Sequence, residues 1–153
     1  MIHNVLYFIA TGFYSGKSPY APGTAGTLAG VVLVLLTGWF SFFYQALFCL
    51  ILFGAGLLSS EYHERISGEK DAPEVVIDEI AAFYFIMLFF QNSAVNLFWA
   101  FVLFRIFDIF KPYPIDMLQE YKGGLGVMID DIGAAIYAIA SLLALKALFW
   151  VVM

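Results

Sequence analysis

Residues 76–110 read VIDEIAAFYFIMLFFQNSAVNLFWAFVLFRIFDIF, two apolar runs, 76–90 and 94–110, joined around QNSA. Runs of this composition are too apolar for a solvent-facing helix and suit one surrounded by lipid or protein. Their acids stand at the outer ends, with Asp78 and Glu79 opening the first run and Asp108 near the close of the second. Folding the pair back on itself at QNSA therefore brings all three to one end. Residues 25–40 and 42–59 repeat the arrangement across a short uncharged turn, and 128–153 supplies a fifth apolar segment. A bilayer core about 30 Å thick takes about 20 residues of helix, with shorter spans tolerated. The expected fold is all-α, a polytopic membrane bundle of about five embedded helices. Residues 2–14 form a further helix-like stretch, an N-terminal helix either lying on the membrane or packing into the bundle.

Composition agrees. Of 153 residues, 63% are apolar and 12% charged, and the mean hydropathy is +0.89, where a soluble domain carries roughly 25% charge. A water-soluble globule is thereby excluded. Seven basic against twelve acidic residues give a net charge of −5, which excludes the basic surface that nucleic acid requires. The lone Cys49 sits inside an apolar run and reads as a buried structural thiol. The first twenty residues lack the basic start and small-residue cleavage site of a signal peptide and are expected to stay in the chain. No fixed-period repeat divides the sequence, so residues 1–153 are expected to form a single domain.

Alternating five helices across a bilayer leaves three polar segments on one side: the N-terminal region through Thr24, 61–75 and 111–126. Lys17, Arg65, Lys70, Arg105, Lys111 and Lys122 fall on or beside them, while Lys146 lies toward the far end. Basic residues favour the cytoplasmic side, so the N-terminus is expected there. Asp130 and Asp131, opening the fifth segment, map to the same face as Asp78, Glu79 and Asp108. Carboxylates distant in sequence thus converge at one depth.

Ionisable groups in membrane helices cost roughly 2.5–3.5 kcal/mol at the helix centre and usually face a cavity or one another. In FRIFDIFKP, Arg105, Asp108 and Lys111 recur at three-residue spacing on one helix face. That spacing fits an intrahelical salt bridge with a snorkelling lysine, and it fits a phosphate-and-metal role equally well. Asp78 and Glu79 are adjacent, about 100° apart on a helix, and suit different tasks, or the helix dipole alone. Five acids near Arg105 and Lys111 would repel unless some were protonated or a divalent cation bound. Oxygen ligands with no nearby His or Cys select a hard ion, Mg²⁺ with Mn²⁺ as the alternative. A metal with Arg and Lys is equipment for phosphoryl transfer.

SGKSPYAPGTAGTLAG, residues 15–30, leads into the first apolar segment; Ser18, Thr24 and Thr27 offer hydroxyls, and the helix start offers backbone N–H groups to an anion. It lacks the GxxxxGK[ST] spacing of a P-loop. His3 near the terminus and His63 in the polar EYHERISGEKD stretch read as surface residues.

Four motifs in order, SGKSPYAPGTAGTLAG, VVIDEIAAF, FRIFDIFKPYPI and GGLGVMIDDIGAAI, resemble the phosphatidylglycerophosphatase A family. Ala82 and Ala135 stand where that family often has glycine, and Ile77 where it often has an aromatic residue. The resemblance implies a bacterial inner-membrane, multi-pass enzyme with its site toward the cytoplasm, using Mg²⁺ to remove the terminal phosphate of phosphatidylglycerophosphate. Carried over by position, it points to Thr24, Asp78, Glu79, Arg105, Asp108, Lys111, Asp130 and Asp131. On that footing Asp78, Glu79, Asp130 and Asp131 are expected to ligate Mg²⁺ and supply a base. Asp108 would be a further ligand or the acid–base group, and Thr24, Arg105 and Lys111 would bind phosphate. The lipid bilayer and the phospholipid substrate are the expected partners. Two alternatives are an Mg²⁺-dependent phosphatidyltransferase, whose compact DG…AR aspartate pattern is missing here, and a small ion-binding membrane transporter, which would bury its acids deeper.

Overall fold

The five apolar segments become helices in a computed structural model, which describes residues 2–152. In chain order the helices are α1 (Ile2–Ala10), α2 (Pro22–Thr37), α3 (Phe42–Ser67), α4 (Ile77–Met87), α5 (Ala94–Phe110), α6 (Ile115–Leu118) and α7 (Gly124–Val152), with a 3₁₀ turn at Ser15–Lys17. No strand occurs among the described residues. The last residue of the expected 128–153 segment lies outside them.

Local chemistry sets the ends. Pro22 opens α2 where its missing N–H costs nothing. Ser93 caps α5 by accepting a hydrogen bond from the Asn96 amide at 3.2 Å. Gly68 closes α3 in the left-handed conformation, φ 71°, donating to the Glu64 carbonyl. α3 therefore runs on through part of the polar stretch that reads as a connection from 61 onward.

α4 occupies the centre. Ile77, Asp78, Ile80–Tyr84, Ile86 and Met87 are all buried, because α2, α3, α5 and α7 pack around this helix. Its 11 residues reach only about 16 Å. The α2–α4 contact is close because Gly26 and Gly30 face α4: a Cβ at Gly26 would lie 2.6 Å from Val76 Cβ. Gly26→Ala is expected to lower stability in detergent by about 1–3 kcal/mol through overpacking, overriding the roughly 1 kcal/mol helix-propensity gain. Gly54→Ala on α3, with nothing within 4 Å of a new Cβ, should not fall; thermal unfolding of both variants checks this.

Two helices, Phe42–Ser67 and Gly124–Leu148, are long and apolar enough to cross a membrane. Leu47, Leu50, Ile51 and Leu58 of the first and Ile136 and Leu143 of the second are exposed on the outside of the bundle. An apolar exterior of this extent suits lipid rather than water. α1 packs on α3.

Candidate active site

The polar ends of α2, α4, α5 and α7 meet around a cleft of about 300 Å³. Ala21–Thr24 form one wall where the chain enters α2. Asp71, Ala72, Pro73 and Val75 form another ahead of α4, and Asp78, Glu79, Arg105, Asp108, Lys111, Asp130 and Asp131 complete the lining. Every residue expected at the site from sequence thus reaches the same cleft, Thr24 included. Ser18, with a hydroxyl of the same loop, does not line it; Thr27 stands behind it as an acceptor for Arg105.

Three carboxylates form the inner group. Asp78, Glu79 and Asp131 each offer an oxygen, all within 4.8 Å of one another. Two unit charges at that distance repel by roughly 3 kcal/mol at an effective dielectric near 20. The buried Glu79 Oε2 and Asp131 Oδ2 have no hydrogen-bond partner. Orphaned, clustered carboxyl oxygens can accept a cation, and ligand oxygens around one Mg²⁺ lie roughly 3–4 Å apart. The donor set fits a hard divalent ion.

Asp108 and Asp130 are held by cations. Asp108 Oδ2 accepts from Arg105 Nη1 at 2.6 Å, and Glu79 Oε1 lies 3.8 Å from the same nitrogen. Thr27 Oγ1, 3.5 Å from Arg105 Nη1, donates its own proton to the Gly23 carbonyl. Gly23 packs so close that a Cβ there would run into Glu79 Oε1 and approach Nη1 and Nη2 of Arg105 to 3.0 and 3.1 Å. Only a glycine lets α2 approach this ion pair. Lys111 does not pair with Asp108 despite the three-residue spacing. Its backbone turns left-handed at φ 40° as α5 ends, and Nζ crosses to Asp130 Oδ2 at 2.5 Å. Burial would lower the Lys111 ammonium's pKa, but the hydrogen bond to Asp130 and the charges of Asp130, Asp131 and Asp108 outweigh it and hold it above the ordinary lysine value. Asp130 keeps Oδ1 buried and unpartnered, beside the inner group rather than within it.

Asp71 is the lining residue that sequence reasoning missed. Six carboxylates face two cations across the cleft, and Asp71 is the exposed one. His63 is a correction: it is buried, not at the surface, and its Nε2 lies 3.0 Å from Glu74 Oε1.

A family model described as phosphatidylglycerophosphatase A matches residues 8–146. A Bacteroides thetaiotaomicron protein, provisionally named a phosphatidylinositol-3-phosphatase, is 37% identical over 85% of this chain and 86% of its own length. Phosphatidylglycerophosphatase A of Haemophilus influenzae is 35% identical over 96% of the chain and 91% of its own length. The Escherichia coli protein of that name is 31% identical over 87% and 78% respectively. No solved structure matches the chain.

Proposed function

The chain belongs to the phosphatidylglycerophosphatase A family, and from that premise we propose that it hydrolyses phosphatidylglycerophosphate to phosphatidylglycerol and inorganic phosphate with the help of Mg²⁺. The supporting observation is the inner group of Asp78, Glu79 and Asp131 oxygens, within 4.8 Å of one another and lining one cleft with Arg105 and Lys111.

Asp78, Glu79 and Asp131 would hold the ion, with Asp130, whose Oδ1 is unpartnered, as a further candidate ligand. A bound Mg²⁺ supplies positive charge to the phosphoryl oxygens and acidifies water. Arg105 receives the phosphomonoester, its planar guanidinium suited to two phosphate oxygens at once. Lys111 adds a second charge, and Thr24 a hydroxyl at the start of α2. Asp108, held by Arg105, handles the proton: water's oxygen bonds to phosphorus, the bond from phosphorus to the glycerol oxygen breaks, and the proton passes to the leaving alkoxide. A site at the polar ends of apolar helices lets the acyl chains stay in lipid while the headgroup reaches water.

α2, α3, α4, α5 and α7 form five membrane-embedded helices, the shorter ones completed by flanking chain. The cleft faces the cytoplasm from the inner membrane of a bacterium, and the enzyme serves phospholipid synthesis.

The test is phosphate release from purified protein in mixed micelles, with and without Mg²⁺, using phosphatidylglycerophosphate, phosphatidic acid and phosphatidylinositol 3-phosphate. Release from phosphatidylglycerophosphate that falls to background in EDTA and returns with Mg²⁺ is expected. Undiminished release in EDTA would overturn the metal assignment. Preference for the inositol lipid would move the substrate to that named for the Bacteroides relative.

A further inference from the structure

Behind the 71–75 segment, away from the cleft, lies a polar cluster that the proposed chemistry does not use. Glu74 divides its carboxylate between two helices. Oε2 accepts from the Tyr7 hydroxyl of α1 at 2.8 Å, and Oε1 lies 3.0 Å from Nε2 of buried His63 on α3. The Tyr7 and His63 rings stack with centroids 5.8 Å apart, and Lys17 Nζ stands 4.9 Å from the Tyr7 centroid. Burial pushes the Glu74 carboxyl upward, but the Tyr7 and His63 hydrogen bonds and the charges of His63 and Lys17 outweigh it and hold it below its ordinary value. Backbone contacts pull the same way. The Val76 amide donates to the Ala10 carbonyl at 2.9 Å, and Gly16 lies so close to the Glu74 carbonyl that a Cβ there would overlap it.

The opposite side of this segment is cleft wall. Asp71, at its start, has φ 52°, a left-handed conformation uncommon outside glycine that persists where surroundings over-determine it. We propose that Tyr7, His63 and Glu74 are positioning residues: they clamp the 71–75 segment, and through it set the Asp71 carboxylate at the cleft mouth where a lipid headgroup enters. This rests on the catalytic reading of the cleft. It gives α1 a role in substrate handling, beyond simple docking on α3.

Glu74→Ala and Glu74→Gln should be compared with the parent by KM and kcat in mixed micelles and by hydrogen exchange of amides 71–76. Glu74→Ala is expected to raise KM about tenfold with kcat within about twofold, and to speed exchange in the segment more than about tenfold. Glu74→Gln keeps both hydrogen-bonding positions and should recover most of each loss. Faster exchange with unchanged KM would overturn the proposal, as would a fall in kcat alone. Exchange as slow as in the parent would overturn it whatever the kinetics. If the parent releases no phosphate from any lipid, the catalytic reading fails while the exchange arm still decides whether the clamp exists.

Discussion

Asp131→Asn is expected to reduce phosphate release about 10³-fold while leaving the bundle folded. The substitution keeps the side chain's shape and removes one charge from a group whose oxygens crowd within 4.8 Å. Without a cation that group is a source of repulsion, roughly 3 kcal/mol per charged pair at an effective dielectric near 20. In EDTA the variant should therefore unfold at a higher temperature than the parent. Mg²⁺ narrows the gap: an ion at 100 times its dissociation constant stabilises the parent by about 2.7 kcal/mol, and the variant should respond weakly or not at all. Thermal unfolding with and without Mg²⁺, beside phosphate release, separates this from a structural role. A residue that merely anchored α7 would lose stability in both conditions and keep its turnover per folded molecule. Wild-type release by Asp131→Asn would remove the residue from the site.

Much of this site is legible in the sequence because charge is so rare in it. In α5, expected at 94–110 and found at Ala94–Phe110, Arg105 and Asp108 have few polar neighbours to compete with, so helical spacing alone pairs them. Asp78 and Glu79 open α4, and the count of spans sends that opening to the same end as Asp130 and Asp131. The sequence pattern sets that second pair at the opening of the fifth segment, but it lies about two turns inside α7 because the helix already begins at Gly124. The reading weakens where polar residues are common. Between 60 and 75 the sequence is charged throughout, and nothing in its pattern distinguishes the helical turns that extend α3 to Ser67 from the loop that follows. His63 is buried because Tyr7 of α1 stacks on it, a contact between residues 56 positions apart that no local pattern encodes. Asp71 went unnoticed for the same reason. Its place at the cleft depends on a loop held from behind by α1 and α3, and its sequence neighbours, Lys70 and Ala72, carry no motif of their own. Lys111 failed in a different way: its spacing from Asp108 assumes that α5 continues, but the helix ends at Phe110 ahead of Pro112, and the left-handed turn redirects the side chain to α7.

Arg105 decides between the two readings its spacing leaves open. As an intrahelical partner of Asp108, 2.6 Å away, it could be replaced by any cation that reaches three residues along the helix, and Arg105→Lys would be close to silent. As the phosphate receptor it depends on a planar fork of donors that lysine does not possess. The surroundings favour the second. Nη1 already serves Asp108 and approaches Glu79 and Thr27, yet Nε is buried with no partner, and Gly23 leaves open beside Nη1 and Nη2 a space that a Cβ would fill. Arg105→Lys is therefore expected to lower kcat/KM on the order of 10²-fold, mostly through KM, with stability held because Asp108 and Glu79 keep a neighbouring charge. Arg105→Ala should cost on the order of 10³-fold and also destabilise the protein, since it strands two largely buried carboxylates without their cation. The lysine variant carries the inference, because its fold is spared. Parent-like kinetics in Arg105→Lys would return Arg105 to the salt-bridge reading and leave Lys111 as the cation for the phosphate.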